Sequence, residues 1–254
     1  MPDLTPRHLL DVAIEAAYVA GRRTLAYFNT AVRIDTKADD TPVTIADREA
    51  EQLIRAVIHR HFPTHSIVGE EQGRTDGDPD CAWYVDPIDG TRSFVHGIPL
   101  YSVLIACEIR GNVEAGVIYL PALDEMIAAA SGLGCTWNGR KAQVSGTSSL
   151  DQALLLCTDV KMARQRGVAY DRLEAATRLQ RGAFDAYGYA LVATGRADVV
   201  IDPVMSSWDC GPLPVILREA GGRFSDWRGL ETIHGGDALA TNGLLHEAVL
   251  KLVG

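Results

Sequence analysis

Residues 83–97 read Trp-Tyr-Val-Asp-Pro-Ile-Asp-Gly-Thr-Arg-Ser-Phe-Val-His-Gly, and the fold follows from how that stretch is read. Trp83, Tyr84 and Val85 have the character of the end of a buried strand, which Asp86-Pro87 is expected to stop. Asp89-Gly90 then turns the chain, and residues 91–95 open a helix. Asp86 and Asp89 thereby sit at a strand-to-helix elbow, facing a turn of free backbone N–H groups. Carboxylates bind hard cations such as Mg²⁺, whereas a helix N-terminus favours anions. A metal-bound phosphate satisfies both. The ordinary alternative is that Asp-Pro and Asp-Gly are turn dipeptides and nothing more.

Working outward, Gly69-Glu70-Glu71 follows the apolar pair Ile67-Val68, and Trp208-Asp209 precedes a helical pattern ending at Glu219-Ala220-Gly221-Gly222. With Asp86-Pro87-Ile88-Asp89-Gly90-Thr91, these stretches resemble the paired signatures of the inositol monophosphatase family of Mg²⁺-dependent, lithium-sensitive phosphatases. The resemblance runs from the first helix to the last strand. It implies an α/β chain built as a layered αβαβα sandwich of the inositol monophosphatase and fructose-bisphosphatase type.

The hydrophobic pattern divides the chain in two. Thr5-Pro6 starts a helix with Leu9, Ala13, Ala16 and Ala20 at helical spacing to about Phe28. A strand at 32–35 and a polar loop at 37–42 precede a second helix, capped by Thr44 and striped by Ala46, Ala50, Leu53, Ile54, Val57 and Ile58 to about Phe62. Gly111-Asn112 between 101–109 and 113–119 marks a hairpin, and Asn138-Gly139 marks another after 126–130. Residues 1–144 thus read as an α+β metal-binding half, two helices on an antiparallel sheet. Residues 145–254 read as an α/β half carrying substrate recognition. Its strands are expected at 153–157, 198–201, 223–225 and 238–240, and its helices at 170–179, 186–194, 208–220 and 244–252.

The composition excludes several classes. At 254 residues, 47% hydrophobic and 22% charged, the chain is of globular type with a large core. No apolar run approaches the ~20 residues of a membrane helix, and no h-region marks a signal peptide. The five scattered cysteines lack a Cys-x-x-Cys pair and fit a reduced cytoplasm. A net charge of −9 argues against nucleic-acid binding.

Glu70, Asp86, Asp89 and Asp209 are the expected metal ligands. Four acids in one site raise one another's pKa values, and divalent cations remove that penalty. With no His or Cys at zinc spacing, all-oxygen ligation points to Mg²⁺, with Mn²⁺ as a substitute. The resemblance implies two or three cations per site, with the Ile88 carbonyl as a further ligand and Glu71 structural. It also implies that Asp47 and Thr91 orient and deprotonate the attacking water, assisted by Glu70. Asp47 also falls third in its helix, where closing a capping arrangement with Thr44 is the simpler role. Gly90 and Thr91 N–H groups are expected on the phosphate. Lys37 matches a family lysine, although a solvated lysine there is equally ordinary. Relatives imply a homodimer.

The leaving group is expected to meet the second half. Phe184-Asp185-Ala186-Tyr187-Gly188-Tyr189-Ala190 stands where inositol-directed members carry small residues, and it resembles the histidinol-phosphatase branch. Histidinol phosphate brings a cationic amine and an imidazole, which favour a carboxylate and aromatic edges; inositol offers hydroxyls. Asp185 and, seven residues before Asp209, Asp202 are the expected substrate acids. Asp185 could equally cap the helix it opens. The expected small-molecule substrate is therefore histidinol phosphate, against inositol 1-phosphate with broad sugar-phosphate activity. A non-catalytic regulatory protein on the same fold is the alternative of another class. Cys210-Gly211-Pro212-Leu213-Pro214 departs from the small helix-forming residues usual after Trp-Asp, and Pro214 is expected to kink the helix.

Overall fold

Residues 4–30, 32–36, 42–183 and 185–254 are described by the computed structural model. Helix α1 (Pro6–Leu25) opens with the Thr5 hydroxyl accepting the His8 N–H and stops three residues short of Phe28. Strands β1 (Ile34–Thr36) and β2 (Pro42–Thr44) form an antiparallel ribbon leading into α2 (Ile45–His61). The expected loop at 37–42, with Lys37, lies outside the described residues except for Pro42, which opens β2.

An eight-stranded sheet follows: β3 (His65–Gly69), β4 (Gly73–Thr75), β5 (Asp78–Asp89), then helix α3 (Thr91–Val95), β6 (Ser102–Ile109), β7 (Asn112–Leu120), β8 (Glu125–Ala130), β9 (Gly134–Trp137) and β10 (Arg140–Lys141). Its order is β10-β9-β8-β7-β6-β5-β3-β4. The sheet is not wholly antiparallel as expected, because β3 and β5 pair in parallel. Helix α2 leads into β3, whereas β4 and a short turn separate β3 from β5 and let the chain re-enter in the same direction. The first hairpin turns at Arg110-Gly111 (φ 50° and 80°), one residue before the expected pair. Two central residues of positive φ suit the strand twist, and Asn112 is left to pair with Ile109. Asn138-Gly139 turns as expected, with φ 48° and 74°.

The second half begins with β11 (Leu154–Cys157), α4 (Val160–Gln165), α5 (Ala169–Ala176), β12 (Leu179–Gly182) and α6 (Ala186–Ala193). It continues with β13 (Val199–Asp202), α7 (Ser207–Cys210), α8 (Leu213–Glu219), β14 (Arg223–Ser225), β15 (Ala238–Thr241) and α9 (His246–Val253). The five strands order as β12-β11-β13-β15-β14, parallel from β12 to β13 and antiparallel beyond. The expected helix at 208–220 is two helices. The interruption falls at Gly211-Pro212, while Pro214 sits in the first turn of α8, where a missing N–H costs nothing.

Three apolar clusters stack the layers. Leu9, Ala13, Ala16, Ile54 and Ile58 pack on Trp83, Val85, Ile105 and Val117, one face of the large sheet. Close packing of α1 needs Gly21, where a Cβ would meet the Tyr119 ring at 2.4 Å. The other face, through Tyr84, Leu104 and Ile118, joins Tyr189, Ala190, Leu213 and Ile216 of α6 and α8, which also cover Leu156 and Val200 of the small sheet. Leu173 and Val249 close the far side over Leu155, Val199 and Ile201. The architecture is an αβαβα sandwich.

Candidate active site

The elbow differs from expectation in one respect that fixes its geometry. Strand β5 is not stopped by Asp86-Pro87 but runs to Asp89, with Asp86 opposite Leu104 and Asp89 opposite Ser102, so one extra residue is accommodated. Such a bulge is a place where proline, lacking a donor, is tolerated, and it re-aims neighbouring side chains. Gly90 then takes φ 81°, and a Cβ there would lie 2.6 Å from an Asp185 carboxylate oxygen. Glycine is required on both counts.

Asp86 and Asp89 are 2% and 8% exposed, and Asp209 joins them from the start of α7. One carboxylate oxygen from each of the three lies within 4.8 Å of the others. Each carboxylate is held by the chain: Asp86 Oδ1 accepts the Ile88 N–H (2.9 Å), and Asp209 Oδ2 accepts that of Ser206 (2.8 Å). Asp89 Oδ2 accepts the Ser102 hydroxyl and the Ala186 N–H, both at 2.8 Å. Asp89 therefore caps α6 from across the interface. Asp185, at the N-cap position itself, makes no side-chain cap bond and has φ 48° and ψ −133°.

Glu70 lines the same cleft, of about 520 Å³, but stands outside the tight group of three. Thr91 Oγ1 donates to the Ile88 carbonyl at 3.0 Å and lies 3.5 Å from Asp47 Oδ1. Asp47 Oδ2 accepts both the N–H and the hydroxyl of Thr44, at 2.8 and 2.7 Å. Asp47 thus closes the expected capping arrangement with Thr44 through Oδ2, while Oδ1 faces Thr91. Asp202 lines the cleft but is 2% exposed, and its oxygens accept the Thr158 N–H, the Thr158 hydroxyl and the Tyr189 hydroxyl.

Burial drives the electrostatics. It pushes Asp86 and Asp89 well above the usual carboxylate range, with Glu70 adding to Asp86 and Asp185 to Asp89. It takes Asp209 to about 7, and Asp185 to about 6 against the pull of Arg92. Burial also raises Asp47, opposed by the Thr44 hydrogen bonds. Among the described residues, no Lys or Arg forms an ion pair with Asp86, Asp89 or Asp209. A converging, buried, all-oxygen group without a counter-charge fits a hard cation.

That arrangement predicts how stability depends on pH. Folding raises the pKa of Asp209 from 3.8 to about 7. Between those values the folded state holds a proton that the unfolded state has released, so stability falls as pH rises through that window. The slope is about 1.4 kcal/mol per pH unit for each such group. The Tm of metal-free protein should fall by several degrees between pH 5 and 7.5, and a divalent cation should restore it at the upper end. A metal-free Tm that stays flat or rises over that range would contradict this origin.

One important residue escaped the sequence reading. Glu51, fully buried on α2, accepts the N–H groups of Glu71 (2.7 Å) and Gln72 (3.1 Å) and pairs with Arg55 (2.7 Å). It thus shapes the turn that carries Glu70, and a Cβ on Gly69 would collide with it at 2.3 Å. The signal was present, since Glu51 lies four residues after Asp47 and three before Ile54, on the buried face.

Fold and cleft together define a hydrolase of phosphate monoesters. The chain matches the Inositol monophosphatase family over residues 5–254 and belongs to it. It is 41% identical over 249 residues to a histidinol-phosphatase of Chlorobaculum parvum, covering 96% of each chain. Against a histidinol-phosphatase of Mycobacterium tuberculosis the identity is 38% over 226 residues, 86% of this chain and 87% of the other. The inositol monophosphatase of Anabaena (Nostoc), a solved structure, superposes with a TM-score of 0.85 at 34% identity, over 97% of this chain and 95% of that one.

Proposed function

We propose that the protein is a Mg²⁺-dependent phosphatase of histidinol phosphate. Asp185 carries the reading. Its backbone conformation is one that side chains other than Gly, Asn and Asp rarely adopt, and strain of that kind costs about 1–3 kcal/mol. No capping bond repays it, because Asp89 caps α6 instead. The strained carboxylate lines the cleft beside Gly90, with Met162, Val204 and Met205 also in the lining. An acid together with thioether and aliphatic surface suits a cationic amine joined to a flat imidazole. A polyol would gain little from the apolar part. The names of the two histidinol-phosphatases, at 41% and 38% identity, agree.

In this reading Asp86, Asp89, Asp209, Glu70 and the Ile88 carbonyl hold the cations. Bound Mg²⁺ supplies the positive charge that lowers the pKa of water and offsets charge on the phosphate and leaving oxygen. Asp47 Oδ1 and Thr91 Oγ1 orient the attacking water, and the raised pKa of Asp47 makes it the better proton acceptor. The N–H groups of Gly90 and Thr91 hold phosphate oxygens, and Asp185 receives the amine. Asp202, its oxygens engaged by Thr158 and Tyr189, supports the cleft floor and adds negative potential. The second reading, inositol 1-phosphate, draws on the Anabaena neighbour.

Losing one charge-assisted hydrogen bond, ~1.5–3 kcal/mol, reduces kcat/KM roughly ten- to a hundred-fold. Asp185→Asn should hurt histidinol phosphate by that factor and leave inositol 1-phosphate nearly unchanged. An equal loss on both esters would remove Asp185 from substrate recognition. Wild-type preference for inositol 1-phosphate would overturn the histidinol assignment while keeping the phosphatase.

A further inference from the structure

Residues 203–205, between β13 and α7, form the part of the cleft lining that contributes Pro203, Val204 and Met205. Pro203 is buried and Met205 packs against the core between the two sheets, but the loop has few bonds within itself. Pro203 has no N–H, and the Val204 side chain packs poorly, at 61% exposed. Its support comes from behind. The Met205 N–H donates to the Gly236 carbonyl at 3.0 Å, and Arg166 Nη1 donates to the Pro203 carbonyl. The other arm of Arg166, Nη2, donates to Asp237 Oδ2 at 2.8 Å, and the guanidinium lies 4.4 Å from the Trp227 ring centre. Asp237 Oδ1 in turn accepts the Trp227 N–H at 2.7 Å, and the indole N–H donates to the Ala238 carbonyl at 3.0 Å. Arg166 is also the C-cap of α4, whose other end supplies Asp159 and Met162 to the cleft lining.

One planar guanidinium thus ties two segments of the lining, α4 and 203–205, to the anchored 226–238 loop. A planar fork serves both acceptors while stacking on an indole, which a compact ammonium cannot do in the same geometry. Arg166 does not line the cleft itself. The α7 carboxylate Asp209 accepts the N–H of Ser206, just beyond this segment, and Met205 keeps its own bond to the Gly236 carbonyl when the clamp loosens.

We propose that Arg166, through Asp237 and Trp227, is a positioning residue that sets leaving-group specificity by fixing the Met162 and 203–205 wall. The inference rests on that wall meeting the leaving group, as in the function proposed above. The test compares KM and kcat for histidinol phosphate and for ethyl phosphate, whose leaving group is too short to reach the wall. Arg166→Met should raise KM for histidinol phosphate roughly tenfold, the scale on which a misfitted apolar pocket discriminates. Its kcat should stay within about twofold, and the KM for ethyl phosphate should not change. Arg166→Lys should fall between Arg166→Met and wild type. Asp237→Asn, which keeps an oxygen for the Trp227 N–H, carries the same expectation should Arg166→Met fail to fold. Equal changes on both esters, or no change on either, would overturn the proposal. Should wild type prefer inositol 1-phosphate, the histidinol assignment fails alone, and the clamp is then read from the same split between inositol 1-phosphate and ethyl phosphate.

Discussion

Asp89→Asn should give a folded protein without measurable phosphatase turnover. In the native chain Asp89 Oδ2 accepts from Ser102 and Ala186, and an asparagine carbonyl oxygen can take both bonds. The amide would then face Asp86 and Asp209 with a donor in place of a negative charge. The fold keeps its cap on α6, and both the burial of a charge at this position and the like-charge repulsion it adds are relieved. The metal-free variant should therefore melt above metal-free wild type. A cation, by contrast, loses an anionic ligand. Several kcal/mol of transition-state stabilisation come from such an ion, which corresponds to a rate loss on the order of 10³ or more. Near-normal activity at ordinary Mg²⁺ concentrations would sink the ligand assignment.

Thr91→Ala should lower kcat by ~10²–10⁴ with little change in KM, the range typical of a lost general acid–base arrangement. The Thr91 hydroxyl sits between the Ile88 carbonyl and Asp47 Oδ1. Removing it leaves Asp47 anchored by Thr44, so on the proposed roles the base would survive but lose the partner that fixes a water in line. Helix α3 should be unharmed, because Thr91 is its first residue and Gly90, not Thr91, is the N-cap. A rise in KM alone would instead make Thr91 a phosphate-binding residue.

The elbow was legible because carboxylates, proline and glycine leave few conformational choices, and the capping role of Asp47 was legible because its helix position is set by Thr44. What the strand does at Pro87 was not, since a bulge and a strand end look alike without the partner strand β6. Nor did spacing reveal that Asp89 caps α6, a contact spanning 97 positions. Strand β12 escaped because Leu179-Gln180-Arg181-Gly182 is a largely exposed edge with no β-branched residue, held by its pairing to β11. The strain at Asp185 is a backbone property that residue type does not announce. Glu51 could have been found, had an acid on the buried stripe of α2 been given the weight of an anomaly.

The bond from Ala186 to Asp89 also orders events in the life of the chain. Asp86 and Asp89 leave the ribosome early, but the orientation of Asp89 is completed by a helix that begins at residue 186, and the third converging acid arrives at 209. A nascent chain halted in between would hold Glu70, Asp86 and Asp89 but lack Asp209, so the proposed ligand set would be incomplete. On the proposed ligand set, a cation would meet all three converging acids only once residue 209 has joined the elbow. A bound ion would therefore report that α7 has docked on the elbow.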